Sequence, residues 1–232
     1  MSRMLNAAAG GALAAAYIGL IRPRMLRWGA SRSDVERNWP GDEYCRHPAH
    51  QATRAIAIDA PAAAVWPWIL QIGQDRGGFY SYSALENLVG CDMPDVDWIV
   101  PEWQQRAVGD IIWMAPRERY AGKARMLVAW LEPERAMTLI MPEDAEEVAT
   151  GGEARHGLWS FLLDPIDDHS CRLVMRSRAG REPFGGPLGQ WLFFEPAHFV
   201  MERAMMFKIR DLAEARYSAG LTSWWSAEPS TP

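Results

Sequence analysis

The sequence has little cysteine and no excess of positive charge. Its three cysteines, Cys45, Cys91 and Cys171, are odd in number, lie far apart and form no CxxC pair. Neither a disulfide framework nor a thiolate zinc site is therefore indicated, and a reducing compartment, the cytoplasm, is the simplest interpretation. The formal net charge of −5 argues against broad binding to nucleic acid, which needs a basic face to displace counterions. We therefore expect no nucleic-acid partner.

Several motifs of catalysis and cofactor binding are also missing. There is no GxSxG nucleophile elbow and no HExxH metal motif, and the Gly77-Gly78 pair belongs to neither a GxGxxG nor a GK[ST] phosphate loop. These absences argue against a hydrolase and give no reason to expect a cofactor.

The composition is that of a globular protein. With 232 residues, 49% of them hydrophobic and 23% charged, the chain fits one large domain, or one domain with an appendage. Twelve tryptophans and twelve methionines suit a roomy, irregular interior, because these side chains are large or pliable. A generously packed ordinary core is the alternative.

The amino-terminal segment is apolar and basic on its downstream side. Residues 5–21 carry no charge, and four arginines follow within residues 22–32. A helix of that length spans roughly 26 Å, slightly less than the hydrocarbon core of a bilayer. Three alternatives stay open: an inner-membrane anchor with the domain facing the cytoplasm, a soluble or peripheral helix, and a signal peptide cleaved near Ala14-x-Ala16.

The division of the chain follows from these shifts in composition. Residues 1–22 are the apolar helix, and residues 23–52 form a linker that we expect to lie against the domain. The domain proper covers residues 53–217, and residues 218–232 form a loose tail.

The domain begins with one strand and two helices. Arg54 to Asp59 alternates as a strand does, and Pro61 starts a helix that Gly73 ends. A second short helix covers Ser83 to Val89, where Ser83 and Glu86 have the spacing of a capping box.

Strand patterns dominate the middle of the chain. They cover Asp110 to Met114, Ala124 to Leu131, Ala136 to Met141, Gly157 to Leu163, and Cys171 to Arg178. Turn residues between the second and third runs, and between the last two, predict antiparallel hairpins. In the last strand, alternation predicts that Arg172, Val174, Arg176 and Arg178 face water and that the intervening residues face the interior.

A long helix closes the domain. Leu188 to Arg216 favours helix throughout and is interrupted only at Pro196, where we expect a kink. Met201, Met205, Ile209 and Leu212 form its apolar stripe.

Three stretches of this sequence carry a family resemblance. Residues 52–90, 99–110 and 193–206 resemble a bacterial branch of the SRPBCC superfamily, which includes START-like domains and polyketide cyclases. The resemblance implies an α+β helix-grip fold, in which a curved antiparallel sheet of six to seven strands wraps around a long carboxy-terminal helix. It also implies a cavity for a lipid, polyketide or similar hydrophobic molecule, with catalysis in only some branches.

Two clusters carry polar groups that could act in such a cavity. The loop of residues 71–82 offers the phenols of Tyr80 and Tyr82, although an ordinary turn explains it as well. Glu195, His198 and Glu202 share one face of the closing helix. A metal site is one interpretation of this cluster, but the sequence contains no second ligand motif to complete it. An acid/base pair that transfers a proton is another. The simplest interpretation is a structural ion pair.

The remaining ligand-binding candidates are aromatic or acidic. The candidate wall residues are Trp103, Trp113, Trp159 and Phe161, each of which could equally be plain core. Glu86 is a further candidate, although a capping role would turn it back to its own helix.

Three functions remain open at this stage. Binding or transport of a hydrophobic small molecule is favoured. A cyclase- or dehydratase-type enzyme would use His198 with Tyr80 or Tyr82 for proton transfer and needs these groups to converge on the cavity. A partner-binding module with a filled core is the third. Oligomeric state does not follow from the sequence.

Overall fold

A computed structural model describes residues 15–180 and 189–220. Within these ranges six strands form one antiparallel sheet of order β1-β6-β5-β4-β3-β2. The strands are β1 (His50–Ile58), β2 (Ile111–Trp113), β3 (Arg125–Glu132), β4 (Ala136–Ile140), β5 (Gly157–Asp167) and β6 (Ser170–Ala179). All five predicted strand runs of the middle region are present, and both predicted hairpins, β3-β4 and β5-β6, are confirmed.

Six α-helices lie in the described residues. They are α1 (Arg22–Leu26), α2 (Arg32–Glu36), α3 (Ala62–Leu70), α4 (Ser83–Leu88), α5 (Ala145–Ala149) and α6 (Glu195–Ser218). Helices α3 and α4 are the predicted pair after β1. The sheet, these two helices and the closing α6 give the expected helix-grip architecture.

The closing helix is irregular just before Pro196. A π-helical turn (Gln190–Phe194) leads directly into α6, with helical backbone angles at Phe194 and Glu195. Proline has no N–H group to donate within a helix, so a change in the bonding pattern beside it is expected. The predicted interruption of one long helix at Pro196 agrees with this turn, while a kink in the helix axis stays a prediction. Residue 188, where we expected the helix to start, lies outside the described residues.

The main core lies between the inner face of the sheet, α3 and α6. It contains apolar residues from all three, including Ile58, Trp68, Ile69, Phe161, Leu173 and Ile209. Helices α3 and α6 both pack on this face of the sheet and bury most of it. A cavity remains between the sheet and part of α6.

The outer face of β6 does not meet water as predicted. Val174 and Arg176 are completely buried, because residues 28–46 lie across this face. Arg176 donates to the carbonyls of Asp34, Val35 and Arg37 in that segment. The predicted alternation is correct, but a strand pattern cannot show that another part of the chain covers its polar face.

The start of the described chain lies against the start of the closing helix. A π-helical turn (Tyr17–Ile21) leads into α1, and the Tyr17 hydroxyl donates to the carbonyl of Trp191 at 2.5 Å. Arg22 forms a bidentate ion pair with Glu195 at 2.7 and 2.8 Å. Of the predicted segment 5–21, residues 5–14 lie outside the described residues, as does most of the predicted tail. No described helix is long and apolar enough to cross a membrane, and the anchor stays a prediction.

Candidate functional site

A cavity of about 740 Å³ lies between the sheet and α6. Residues of β1, β5, β6 and α6 line it, together with the loops before and after α4. Much of its wall is methionine: Met93, Met114, Met126, Met141, Met201 and Met205. Thioether side chains adapt to ligands of irregular shape, so this wall suits an apolar molecule more than a rigidly defined polar one.

A polar cluster interrupts the apolar wall where β1, β5 and α6 meet. The Arg54 guanidinium donates through Nη1 to Oε2 of Glu202 and through Nε to the carbonyl of Met25 at 2.8 Å. The other Glu202 oxygen accepts a hydrogen bond from Trp159 Nε1 at 2.7 Å. Arg54 and Glu202 are both almost fully buried, and a buried ion pair needs such additional bonds to offset its desolvation.

His198 completes this cluster. Its Nδ1 lies 3.4 Å from Arg54 Nη1, and its Nε2 lies 3.8 Å from Glu202 Oε1. Its ring stacks on Phe194, with centroids 5.2 Å apart, and meets Trp159 edge-on at 5.5 Å. The guanidinium has only donors, so a hydrogen bond at this contact would have Nδ1 as its acceptor.

Burial and charge set the protonation of the two groups. Burial lowers the pKa of His198 below its ordinary value, and although Glu202 opposes this, Arg54 reinforces it. For Glu202, burial alone would raise the pKa, but the adjacent His198 and Arg54 and the two hydrogen bonds outweigh it and lower the pKa. The pKa values of both groups are therefore lowered, and Arg54 compensates the charge of the Glu202 carboxylate.

Glu86 brings a second acidic group to the cavity. Its Oε1 accepts a hydrogen bond from the Ser81 hydroxyl at 2.7 Å, while its Oε2 has no partner in residues 15–180 and 189–220. Burial raises the pKa of this carboxyl. The predicted capping box is wrong, since Tyr82 is the N-cap of α4 and no side chain caps it. The Glu86 carboxyl lies instead with Ser81 on the cavity wall.

The structure brings together only part of the predicted site. Of the candidate residues, Glu86, Trp159, His198 and Glu202 line the cavity, whereas Tyr80, Tyr82, Trp103, Trp113 and Phe161 do not.

Each of the other five has a place outside the cavity wall. Tyr80 is buried and its hydroxyl accepts from Gln71 Nε2 at 2.7 Å, while Tyr82 is 45% exposed. Trp103 offers its carbonyl to Arg76, and Trp113 lies beneath the Arg117 guanidinium. Phe161 is fully buried beside Trp159. The tyrosines therefore do not converge with His198 on the cavity.

The loop of residues 71–82 is a closed turn. Gly73 and Gly78 pair across it, and Arg76 donates to the carbonyls of Leu70 and Trp103. Gly78 has a φ of 81°, and a Cβ there would lie 2.1 Å from the Pro94 carbonyl oxygen. Glycine is therefore required for the turn itself, which favours the ordinary structural interpretation.

Sequence reasoning missed Arg54, the most fully buried cation of the cavity. A signal was present, because Arg54 shares one face of β1 with Ile56 and Ile58. An arginine in register with apolar residues must either reach the strand end or find a buried partner. Its partner, Glu202, lies 148 residues away in sequence, so local patterns could not identify the pair.

The residues 15–180 and 189–220 contain no group of three or more His, Cys, Asp or Glu arranged to hold a metal ion. Glu195, one of the three residues weighed as ligands, is instead bound by Arg22.

The sheet order and the closing helix identify the architecture. The chain has a helix-grip fold, an antiparallel sheet closed by a long carboxy-terminal helix. No protein-family model matches the sequence, and no curated protein is significantly similar to it.

Several solved structures have a distant likeness to this chain. A norcoclaurine synthase of Thalictrum flavum is 13% identical over 72% of this chain and 96% of its own, with a TM-score of 0.39. A polyketide-cyclase-like protein of Corynebacterium glutamicum is 14% identical over 73% and 94%, with a TM-score of 0.37. The Aha1 protein of Colwellia psychrerythraea is 15% identical over 71% and 96%, with a TM-score of 0.36. Likenesses this distant do not bear on function.

Proposed function

We propose that this protein binds a hydrophobic small molecule in the cavity between its sheet and α6. The observation that supports this most is the cavity itself, whose volume of about 740 Å³ lies well within the range of small-molecule sites, roughly 300–1,000 Å³. Its methionine wall and its few convergent polar groups are the composition that such sites have.

The other two functions have less support. The cyclase or dehydratase considered above would use His198 with Tyr80 or Tyr82, and neither tyrosine lines the cavity. A partner-binding module would have a filled interior, and the cavity argues against it. A membrane anchor in residues 5–21 is compatible with hydrophobic binding but independent of it.

The test is to fill the cavity and measure binding of a neutral apolar probe. Ala52 lies on the cavity wall and is buried, whereas Ala57, on the same strand, is exposed. Ala52→Phe adds a ring inside the cavity, and Ala57→Phe adds the same ring outside it. With N-phenyl-1-naphthylamine as the fluorescent probe, we expect Ala52→Phe to weaken binding by about tenfold or more and Ala57→Phe to leave it within about twofold.

Two results would count against the proposal. If the wild-type protein does not bind the probe, or if both variants bind it equally well, the cavity is not a binding site. Thermal unfolding of both variants checks that Ala52→Phe remains folded. Native mass spectrometry of protein purified from its own host provides an independent measurement, since a co-purifying apolar molecule should be lost from Ala52→Phe and kept by Ala57→Phe.

A further inference from the structure

The Arg54 guanidinium has one nitrogen that donates no hydrogen bond within the described residues. Its Nε and Nη1 are engaged by Met25 and Glu202, but Nη2 has no acceptor anywhere in the described chain. The side chain is about 1% exposed and lines the cavity. A buried donor without a partner is unfavourable, and native proteins seldom leave one in place.

Arg176 shows what this chain does with an arginine that is purely structural. It is also fully buried, but on the outer face, one residue along the β1-β6 ladder from Arg54. Its Nε donates to Thr53, its Nη1 to Arg37 and Asp42, and its Nη2 to Asp34 and Val35. All five N–H groups of Arg176 are therefore satisfied, whereas Nη2 of Arg54, on the cavity side of the sheet, has no partner.

The charge around Arg54 favours a neutral partner. Glu202 already compensates the guanidinium, and the nearby Glu195 is compensated by Arg22. An anionic ligand would add an uncompensated buried charge, whereas a carbonyl oxygen would satisfy the donor without one. The rings of Phe194 and Trp159 beside the cluster supply apolar surface for the rest of the molecule.

We infer that the cavity binds an apolar molecule with a neutral oxygen acceptor, such as a ketone or ester carbonyl, which accepts a hydrogen bond from Nη2 of Arg54. This inference rests on the proposed function and specifies the chemical class of its ligand. Arg54 would fix which end of the molecule enters the β1-α6 side of the cavity, while the methionine wall accepts the remainder.

Matched probes test the inference in the wild-type protein. 2-Acetylnaphthalene and 2-ethylnaphthalene have nearly the same shape, but only the first carries a carbonyl; 2-naphthoate replaces it with a carboxylate. Affinities are measured by displacement of N-phenyl-1-naphthylamine. We expect the ketone to bind about tenfold or more tightly than the ethyl compound, and the carboxylate to bind no more tightly than the ketone.

The outcomes separate the two proposals. Equal binding of the ketone and the ethyl compound would overturn the role of Arg54 while leaving hydrophobic binding intact. Tighter binding of 2-naphthoate would overturn the neutral acceptor. If the fluorescent probe itself does not bind to the wild-type protein, the proposed function fails, and this inference fails with it.

A pair of variants then assigns the preference to Arg54. Arg54→Met with Glu202→Gln removes both charges, so that no unpaired ion is left, and the amide oxygen introduced by Glu202→Gln can still accept from Trp159. We expect the ratio of the ketone affinity to the 2-ethylnaphthalene affinity to fall to within about twofold. The control removes an ion pair of the outer face, Arg172→Met with Asp34→Asn, and should keep the full preference. Loss of preference in both would indicate general loosening and overturn the assignment, and the wild-type probe comparison decides if the first variant does not fold.

Discussion

The two faces of the sheet treat a buried arginine differently. On the outer face, residues 28–46 surround Arg176 with carbonyls and Asp42, and every N–H group has a partner. On the inner face, Arg54 has one strong partner, Glu202, and its Nη2 remains without an acceptor within the described ranges. Arg176 therefore binds the segment that covers the outer face, whereas Arg54 keeps an unpaired hydrogen-bond donor beside the cavity on the inner face.

The difference teaches that burial alone does not distinguish a structural arginine from a functional one. The number of satisfied N–H groups is the property in which Arg54 and Arg176 differ, and native proteins seldom leave a buried donor without an acceptor. Where it does not, a ligand or an ordered water molecule can supply one. Variants at Arg54 and Arg176 test whether the two arginines differ in this way.

The largest loss in the free energy of unfolding is expected from a substitution on the outer face. Arg176→Met removes five hydrogen bonds and leaves the buried Asp42 carboxylate without its main compensating charge. The expected loss in the free energy of unfolding is about 3–5 kcal/mol, measured by urea denaturation. Arg32→Met, which removes an exposed ion pair with Glu36, should change it by less than about 0.5 kcal/mol. A loss at Arg176 as small as at Arg32 would mean that the covering segment is not held by this side chain.

A smaller loss in the free energy of unfolding is expected on the inner face. The informative result is whether a second substitution restores part of the stability that the first one removes. Arg54→Met leaves Glu202 buried without its cationic partner and should cost on the order of 3 kcal/mol. Adding Glu202→Gln removes that charge, so the double variant should regain about 1 kcal/mol or more. Urea denaturation of the two singles and the double measures the coupling. If the double variant is as unstable as the sum of the singles, the two side chains do not act as a pair.

The smallest effect concerns the acids of the cavity and appears only as a pH dependence. Burial raises the pKa of Glu86 above its ordinary value of 4.5. The folded protein then binds this proton more tightly than the unfolded chain, so the stability it contributes is present below pH 4.5 and is lost as the pH rises through the folded pKa.

Glu86→Gln should therefore be equal to the wild type in stability near pH 4 and gain on it as the pH is raised, as measured by thermal unfolding. Glu202, whose pKa is lowered, has the opposite dependence. A constant difference between wild type and Glu86→Gln across this range would show that burial does not perturb the Glu86 carboxyl.

Much of the fold could be predicted from periodicity. The strands and the long closing helix follow hydrophobic repeats of period two and about 3.6, whereas the second short helix was predicted from a capping box that the structure does not contain. Residues 23–52 were predicted to lie against the domain, but the face that they cover could not be predicted, because residues 28–46 have no repeat and many of their contacts are made by carbonyl groups that any sequence provides.

The candidate site was only partly predictable for a related reason. His198 and Glu202 share a helix face, so their proximity followed from spacing alone. Arg54, Ser81 and Glu86 reach the same cavity from separate elements, and only the assembled fold brings them together. Tyr80 and Tyr82 were plausible by chemistry, but the closed turn of residues 71–82 directs one into the core and the other towards solvent.

The pairing of Arg54 with Glu202 also sets an order of events during synthesis. The arginine is translated 148 residues before its partner, an interval on the order of ten seconds at ordinary rates of chain elongation. Throughout that time β1 can present a cation with no carboxylate to receive it, and the cavity lacks its helical wall. The cavity is therefore completed only after α6 has been made, and a nascent chain has no finished cavity to fill before then.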